Sequence, residues 1–337
     1  MLGDRLRQLR LARGLTQTQL AELAEVSRQL VGAVEADRHL PRVDAAVRLA
    51  AALSTSVEEL LAPDTRGASG VVEAPAEGAL VRIGRVGDRL VCVPAAGSGE
   101  GWASADAQIR QGGVELFDVE RPALIVAGCD PVIGLASRLL ETTSGPRVVP
   151  VATSSATAAA VLAAGRSHAV TVHGPDGTGV GPPAPVRRWH IARWQVGLAA
   201  PADLAAGWVD DALAGRIAVV HRETGAGSQA AFERARRPGD GPIAPIAGPR
   251  VGGHAEAAWR AATDGMVAVT IEPAALANGL AFHPLETHTS QLCVAAEHTD
   301  NALVHAFLHE VTGERVRRRL AAIGGYDLTD NGVEIAV

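Results

Sequence analysis

The apolar residues follow one spacing up to about residue 62 and a different spacing beyond it. In the first part they recur every three or four positions, which is the period of helices with one buried face. These positions include Leu2, Leu6, Leu9, Leu20, Leu23, Val31, Val34, Val43, Val47, Leu49, Leu53, Val57 and Leu60. The pattern predicts four or five short helices within residues 1–62.

Small residues and helix breakers occupy residues 63–78, which are predicted to form a linker. The next residues, 79–86 and 89–93, are rich in β-formers and flank Gly87-Asp88, which predicts a β-hairpin. We expect this hairpin to begin a β-rich connecting segment that extends over residues 79–122.

From residue 123 onward, short apolar strands alternate with helices. The predicted strands are 124–127, 148–151, 169–173, 217–221 and 266–271. The predicted helices are 131–141, 155–164, 229–236 and 254–263. Because strands that alternate with helices usually pair in parallel, the pattern predicts an α/β domain with mostly parallel sheets.

Composition limits the classes of protein to consider. The 337 residues are 47% hydrophobic and 20% charged, which suits about two globular domains. No apolar run reaches the roughly 20 residues that span a bilayer, and four arginines among the first 13 residues are unlike a secretory signal. Three widely spaced cysteines, Cys92, Cys129 and Cys293, form neither a CxxC metal motif nor a disulfide framework. We therefore expect a cytoplasmic protein without a membrane segment.

The N-terminal helices have the spacing of a helix-turn-helix. Gly14 can end the first helix, Thr16 and Ser27 can cap the next two, and a short turn lies at residues 24–26. The formal net charge of −6 argues against a protein that is basic throughout, but it permits a small DNA-binding module. Residues 1–62 contain eight arginines and eight acidic residues, so a helical interaction module with solvated arginines is the alternative.

Several short motifs in these helices agree in order and spacing with a known family. They are Leu9-Arg10, Gly14-Leu15-Thr16-Gln17, Leu20-Ala21, Val26-Ser27, Val34-Glu35, Pro41 and Leu49-Ala50. Over residues 1–62 the chain resembles the Cro/repressor-type helix-turn-helix of the XRE family. The resemblance implies that the helix beginning near Ser27 enters the major groove of operator DNA. It also implies a homodimer, because one such module reads few base pairs.

Within this register we predict seven DNA-contacting residues: Thr16, Gln17, Ser27, Arg28, Gln29, Arg38 and Arg42. Arg28 can form two hydrogen bonds with guanine and Gln29 two with adenine, whereas the remaining residues are placed to meet phosphates or to cap helices. Glu35 is expected to be a structural partner of Arg10 rather than a base reader.

In the C-terminal part, three predicted strands run into small or hydroxylic residues that open a helix. These junctions are residues 128–131, 153–155 and 224–228. Small residues expose backbone N–H groups, and a helix N-terminus adds partial positive charge. Each junction alone is explained by ordinary capping, but three together favour a cleft for a small polar ligand.

The order of these segments also resembles a known domain. The matching segments are 124–131, 163–165, 172–173, 224–228, 254–258, 282–285, 324–327 and Gly332. They resemble the periplasmic-binding-protein-like effector domain that is related to molybdate-binding proteins and fused to bacterial regulators. The resemblance implies two lobes within residues 123–337, namely 123–188 with 298–337, and 189–297. The expected fold is therefore an all-α helix-turn-helix domain followed by a two-lobed α/β periplasmic-binding-protein-like domain.

By position, nine residues are candidates for ligand contact: Asp130, Ser154, Ser155, His173, Thr224, Gly227, Ser228, His254 and Glu272. Molybdate-type sites use hydroxyls and backbone amides, and the carboxylates of Asp130 and Glu272 would repel a dianion. The effector is thus left open between an oxyanion such as molybdate and a small polar organic molecule.

Other motifs that could bind a cofactor or a metal, or react with a substrate, give weaker indications of function. Residues 225–230 match GxGxxA, but no acidic strand end follows at the distance that a dinucleotide ribose requires. His305 and His309 share a helix face without an evident third metal ligand. Cys129 could have a lowered pKa at a helix N-terminus, yet no base with an orienting group is evident. We therefore expect no cofactor, no metal and no catalysis.

The sequence predicts a ligand-responsive, one-component transcription regulator. Two alternatives remain open. One is an enzyme with a DNA-binding tether that uses Cys129, Asp130 or His173 on the bound molecule. The other is a constitutive DNA-binding protein whose C-terminal lobes only dimerise.

Overall fold

The computed structural model describes residues 2–36, 38–57, 60, 69–95, 104–111, 113–118, 122–143, 145–175, 182, 185–236 and 245–335. The chain divides into two compact units, residues 1–67 with 110–115, and residues 68–109 with 116–337. Each unit is described by itself below.

The N-terminal unit contains four described helices. They are α1 (Leu2–Ala12), α2 (Gln17–Leu23), α3 (Arg28–Glu35) and α4 (Val43–Ala52). Their apolar faces meet in one core, in which Leu6, Leu20, Val31 and Leu49 are fully buried. The apolar spacing therefore predicted these helices correctly; residues 58–59 and 61–62, at the end of the predicted module, lie outside the described residues.

The predicted caps are present. Thr16 forms a capping box with Gln19 at the beginning of α2, and the side chain of Ser27 accepts a hydrogen bond from the Leu30 amide at the beginning of α3. Gly14 follows α1 with a φ of +66°, a conformation that costs glycine little. The helix boundaries thus follow from local sequence chemistry.

A small sheet follows in the chain. Its strands are β1 (Ser69–Gly70), β2 (Leu80–Val86), β3 (Arg89–Pro94), β4 (Ala107–Arg110) and β5 (Gly113–Leu116). Strands β2 and β3 pair antiparallel around Gly87, as the hairpin prediction required. β1 lies inside the segment expected to be a linker and pairs in parallel with β3. Residues 63–68 of that segment lie outside the described residues.

The second unit is built on a large sheet. Its strands are β6 (Ala123–Gly128), β7 (Arg147–Ala152), β8 (Ala169–Gly174), β9 (Val186–Ala200), β10 (Val219–Arg222), β11 (Arg250–Val251), β12 (Val267–Ile271), β13 (Ala281–Ala295) and β14 (Glu334–Ile335). They lie in the order β11-β10-β12-β9-β13-β8-β6-β7, and β14 pairs with β9.

Eight described helices cover this sheet. They are α5 (Val132–Glu141), α6 (Ser155–Ala163), α7 (Trp208–Leu213), α8 (Gly227–Ala235), α9 (His254–Asp264), α10 (Glu272–Ala277), α11 (Ala302–Val311) and α12 (Glu314–Ile323). We call β6–β8 with α5, α6, α11 and α12 the first lobe, and β10–β12 with α8 and α9 the second lobe.

The centre of the large sheet differs from the prediction of mostly parallel pairing. The outer pairs are parallel, but β9 and β13 are antiparallel to each other and to their outer neighbours β12 and β8. Each of these two strands has 15 residues. Because they contact strands of both lobes, their polar and apolar positions do not follow one simple alternation, and the prediction missed them.

Candidate functional site

The first turn of α3 presents polar side chains to solvent. Arg28 and Gln29 are exposed there, whereas Val31 and Val34 of the same helix are buried in the core. This is the arrangement that a recognition helix needs, because its N-terminal residues meet base edges while the opposite face holds the helix in place. Arg38 and Arg42 are also exposed, so both are accessible to phosphate.

Behind α3, the expected pair of Arg10 and Glu35 is present. Arg10 Nε donates to Glu35 Oε1 at 2.6 Å, and Nη2 donates to Oε2 at 3.1 Å. Burial alone would raise the pKa of Glu35, but the hydrogen bonds from Arg10 and Gln17 lower it below its ordinary value. Gln17 donates its side-chain amide to Glu35 at 2.8 Å, so the predicted phosphate contact of Gln17 competes with a bond inside the fold.

In the second unit, a cleft with a volume of about 570 Å³ opens between residues of both lobes. Of the predicted ligand-contacting residues, Ser155, His173, Thr224 and Gly227 line it. The full lining consists of Ser155, His173, Gly174, Pro175, Thr224, Gly225, Ala226, Gly227, Gln229, Ala230, Glu233, Arg234, Arg250 and His288.

Two helices begin at this cleft. At α6, the Ser154 side chain caps the helix by accepting from the Thr157 amide, and Ser155 Oγ accepts from the His173 amide at 3.0 Å. At α8 the capping position is Ala226, whose side chain cannot form a hydrogen bond. The first amides of α8, at the glycine-rich loop, therefore depend on other partners, and a ligand acceptor is one.

Three imidazoles form a continuous chain that begins beneath the cleft and reaches its wall. Arg222 Nη1 donates to His254 Nδ1 at 2.7 Å. His254 Nε2 lies 3.4 Å from His173 Nε2, and His173 Nδ1 lies 2.9 Å from His288 Nδ1. His288 Nε2 lies 3.1 Å from Glu286 Oε2. The chain therefore connects a guanidinium of the second lobe, through His173 of the first lobe, with a carboxylate on β13.

The two ends of this chain determine the proton position on each ring. An arginine only donates hydrogen bonds, and an ionised carboxylate only accepts them. His254 therefore carries its proton on Nε2, His173 on Nδ1 and His288 on Nε2. Arg234 holds the carboxylate end in place, because it donates to both oxygens of Glu286 at 2.7 Å and lowers the pKa of Glu286.

Burial keeps all three imidazoles neutral. The pKa of His173 is lowered to about 3, mainly by desolvation, and the neighbouring His288 and Arg222 contribute in the same direction. Desolvation also lowers the pKa of His254 well below its ordinary value, with Arg222 as the next cause. The pKa of His288 is lowered by burial, although Glu286 opposes the shift. Near neutral pH, the rings are hydrogen-bonding groups and not cations.

Of the candidates that do not line the cleft, Ser228 is buried with no hydrogen-bond partner for its Oγ among the described residues, and the two carboxylates lie elsewhere. Asp130 is buried; its Oδ1 accepts from the Val132 amide at 3.0 Å and its Oδ2 from Ser290 Oγ at 2.7 Å. Burial raises the pKa of Asp130 to about 6. Glu272 begins α10 and lies against Gly325, away from the cleft lining. The two carboxylates that argued against an anionic ligand are therefore not in the cleft wall.

Cys129 is buried beside the imidazole chain. Its sulfur, one ring nitrogen of His173 and one of His254 lie within 4.8 Å of one another. Burial is the largest cause that raises the pKa of Cys129 to about 11, although Arg222 lowers it. The expectation of a lowered pKa at this helix N-terminus is wrong, because loss of hydration outweighs the helix and the guanidinium.

Sequence reasoning missed four residues of the site: Arg222, Arg234, Glu286 and His288. Arg222 follows an apolar strand, where an arginine usually marks the strand's exposed end, yet it is fully buried. His288 lies in the middle of β13, which the sequence did not reveal as a strand. Residues 286–291 are all polar, so this part of the strand carries no alternation of polar and apolar residues that could have indicated it.

Two family profiles match the chain. A profile described as "Helix-turn-helix domain" matches residues 1–62, and one described as "PBP superfamily domain" matches residues 136–312. No curated protein matches the chain. Among the described residues, none of the helices has the length and apolar character needed to cross a membrane.

Solved structures are similar to each part separately. The restriction-modification controller protein C.AhdI from Aeromonas hydrophila is 40% identical, with 18% of this chain and 91% of that protein covered and a TM-score of 0.18. A putative phosphate ABC transporter substrate-binding protein from Clostridium perfringens is 13% identical, with 61% and 98% covered and a TM-score of 0.48. The regulatory domain of CcmR from Synechocystis, in complex with 2-PG, is 14% identical, with 56% and 95% covered and a TM-score of 0.42.

The PBP profile covers more than half of the chain, and the large sheet with its two lobes agrees with that fold. The helices, caps and apolar core of the N-terminal unit agree with the other profile. The chain therefore belongs to the PBP superfamily and carries an XRE-type helix-turn-helix domain at its N-terminus.

Proposed function

We propose that this protein is a one-component transcription regulator that binds operator DNA through residues 1–62 and senses a small molecule in the cleft of its C-terminal unit. A helix-turn-helix domain together with a PBP-like domain suggests a transcription regulator with a ligand-binding domain. The observation that carries the finer proposal is the cleft itself, because residues of both lobes line it in the same chain as a DNA-binding fold.

The properties of the cleft support a small organic anion as its ligand. A volume of about 570 Å³ is typical of pockets for organic molecules and exceeds what a bare tetrahedral oxyanion fills. Arg250 supplies positive charge to the lining, and Glu233 supplies one negative charge. The guanidinium of Arg234 also lines the cleft with its charge paired to Glu286, and the imidazoles are neutral. The amides of the glycine-rich loop before α8 add hydrogen-bond donors.

Ligand binding would act through the contact between the lobes. Gly225 of the second lobe lies against the first lobe, since an added Cβ there would be 3.3 Å from Ala156 Cβ and 4.0 Å from Ser154 Oγ. A ligand that bridges the lobes stabilises the closed arrangement only by its higher affinity for that arrangement. We propose that closure changes the affinity of a homodimer for operator half-sites about 34–36 Å apart.

The test compares two substitutions at Gly227, whose added Cβ would lie 3.4 Å from His288 Cε1 and 3.5 Å from His173 Cε1. Alanine fits at that distance, whereas the side chain of Gly227→Leu extends into the cleft. An operator selected from random DNA and a panel of organic acids are used with the full chain. Ligand binding is measured by calorimetry, DNA binding by fluorescence anisotropy, and the stoichiometry of the complex by analytical ultracentrifugation.

We expect wild type and Gly227→Ala to bind an organic acid and to change their operator affinity in response. Gly227→Leu should bind the organic acid at least about tenfold more weakly than wild type and should therefore lose the ligand response. Its affinity for the operator without ligand should stay the same. If Gly227→Leu responds like wild type, the ligand binds elsewhere. If no selected DNA binds, the regulatory function itself is wrong.

The enzyme alternative requires an activated nucleophile or base at the cleft. Cys129 is the nearest thiol among the described residues, and burial raises its pKa to about 11. We therefore propose binding without turnover. After prolonged incubation with the protein, mass spectrometry should detect the ligand with its mass unchanged. A product formed in a larger molar amount than the protein would support the enzyme instead.

A further inference from the structure

Three buried side chains with metal-binding atoms converge between the lobes. Cys129 follows β6, His173 lies in β8, and His254 is the first residue of α9. All three are at most 6% exposed. The sulfur and one ring nitrogen of each histidine lie within 4.8 Å of one another. Three separate elements thus bring one thiol and two imidazoles to the same point.

The distance between the two imidazoles suits a shared metal ion better than a direct hydrogen bond. Nitrogens that bind one tetrahedral ion at about 2.0–2.1 Å lie about 3.4 Å apart. His254 Nε2 and His173 Nε2 are 3.4 Å apart, whereas N–H hydrogen bonds usually span about 2.7–3.2 Å. A thiolate on the same ion would lie about 3.6 Å from each nitrogen, and the sulfur of Cys129 already lies within 4.8 Å of one ring nitrogen of each histidine.

One of the two imidazoles is already oriented as a metal ligand. His173 donates its Nδ1 proton to His288 Nδ1 at 2.9 Å, which leaves the lone pair of Nε2 directed at His254. His288 in turn donates to Glu286 at 3.1 Å. A hydrogen bond from the far nitrogen to a second partner is the usual way in which proteins fix the tautomer of a metal-binding histidine.

Arg222 is the group that metal binding must rearrange. Arg222 Nη1 donates to His254 Nδ1 at 2.7 Å, so the His254 proton is on Nε2. Coordination through Nε2 moves this proton to Nδ1, and Arg222 then turns from His254 toward the thiolate of Cys129, with which it already interacts. The thiol proton is released, so the exchange liberates one proton for each metal ion bound.

We propose that Cys129, His173 and His254 bind a transition metal ion of the Zn²⁺ type at the floor of the cleft. One thiolate and two imidazoles are the ligands that borderline to soft cations prefer. Three protein ligands leave the fourth tetrahedral position for water or for a donor atom of a molecule in the cleft. The metal site does not depend on the proposed DNA binding and is tested without DNA.

The test uses Co²⁺ as a spectroscopic substitute for Zn²⁺ on the full chain purified with a chelator. Wild type should bind one Co²⁺ and develop both the visible bands of a tetrahedral site and a near-ultraviolet thiolate-to-cobalt band, all of which one equivalent of Zn²⁺ should abolish. Calorimetry of Zn²⁺ binding in buffers of different ionisation enthalpy should show release of one proton. Titration with Cu⁺ in parallel determines whether the site prefers the monovalent ion.

Four variants identify the ligands. Cys129→Ser should lose the thiolate band and the proton release, whereas the matched Cys92→Ser should keep both. His288→Gln, which removes only the outer partner of His173, should weaken Zn²⁺ affinity about 10–100-fold. His309→Gln removes an exposed histidine of α11 and should leave the spectrum unchanged.

A wild-type protein that binds no Co²⁺, or that binds it without a thiolate band, would overturn the proposal, and this result does not depend on the folding of any variant. A thiolate band that persists in Cys129→Ser, or that disappears in Cys92→Ser, would also place the metal elsewhere. Loss of the spectrum in His309→Gln would assign it to the surface pair His305 and His309.

Discussion

At the scale of single residues, the site depends on which groups are buried together. Arg222 is fully buried, and its guanidinium donates to the Gly252 carbonyl at 2.9 Å as well as to His254. Ser228 is also fully buried, so a large side chain there would disrupt packing rather than fill the cleft selectively. Gly227, one residue earlier, lines the cleft and is the better position for a blocking substitution.

The exposed arginine at the beginning of α3 gives a prediction at the same scale. Arg28→Ala should weaken binding to a selected operator by about 1–3 kcal/mol and relax specificity at one base pair, because a two-point contact with guanine is lost. Fluorescence anisotropy against operators with single base changes measures both effects. The control is Arg48→Ala, since Arg48 pairs with Asp44 on the exposed face of α4. Equal losses in both variants would contradict the groove assignment of Arg28.

At the scale of elements, a buried ion pair links α1 with α3. The side chains of Arg10 and Glu35 are 9% and 6% exposed, and Arg10 also donates to the Leu15 carbonyl at 2.7 Å. The pair thus holds α3 against α1 and against the turn before α2. Glu35 also accepts from Gln17, so the carboxylate organises three helices at once.

Glu35→Gln should destabilise the N-terminal helices by about 1.5–3 kcal/mol, because the substitution weakens hydrogen bonds to a charged and buried partner. Hydrogen exchange of peptides from residues 2–57 in the full chain measures the effect locally. Glu22→Gln, an exposed change on α2, should stay within about 0.5 kcal/mol. Equal protection in the two variants would show that the pair adds no stability.

The same carboxylate gives a pH dependence with a definite sign. The pKa of Glu35 is lowered from 4.5 in the folded protein, so the ionised pair contributes its full stability above that value. The contribution is lost as the pH falls below 4.5 and through the lowered folded pKa. In wild type, protection of α1 and α3 should fall in this range, whereas Glu35→Gln should show a smaller decrease. An identical decrease in both proteins would assign the pH dependence to other groups.

At the scale of the whole second unit, β9 and β13 join the two lobes. β9 pairs with β12 over residues 196–199, and β13 pairs with β8 over residues 289–294. Gly197 lies where these strands approach most closely, since an added Cβ would meet the His283 carbonyl oxygen at 2.0 Å. Relative movement of the lobes therefore has to bend or twist this shared pair of strands.

Gly197→Ala should destabilise the second unit by at least about 1–3 kcal/mol, because the methyl group overlaps backbone that cannot rotate away. Scanning calorimetry of the full chain measures the change. Gly134→Ala is the matched control, because Gly134 lies within α5 with open space at its Cβ position. Alanine there should raise the free energy of unfolding by about 0.5–1 kcal/mol. A Gly197→Ala protein as stable as wild type would mean that the strands separate without cost.

The spacing of apolar residues and the capping residues were sufficient to predict the helices and strands that form by local interactions. The helices of the N-terminal unit, the β2–β3 hairpin and the short buried strands β6, β7 and β8 appear close to their predicted positions. The residues that predict each of these elements lie close together in the chain, and tertiary contacts did not change the local preference. The strands β9 and β13 were missed because they contact strands of both lobes, so their apolar residues do not follow one regular alternation.

The amino-acid sequence by itself determined that a helical DNA-binding domain precedes an α/β domain. It also placed Ser155, Thr224 and Gly227 at strand-to-helix junctions and His173 at a strand end, and all four line the cleft. Only the tertiary structure decided that Cys129, His173 and His254 meet, and that the carboxylates of Asp130 and Glu272 lie away from the cleft. The physical reason is that caps and apolar periods act over a few residues. The burial, pKa and partners of a polar group depend instead on side chains that are distant in the chain and brought together by the sheet.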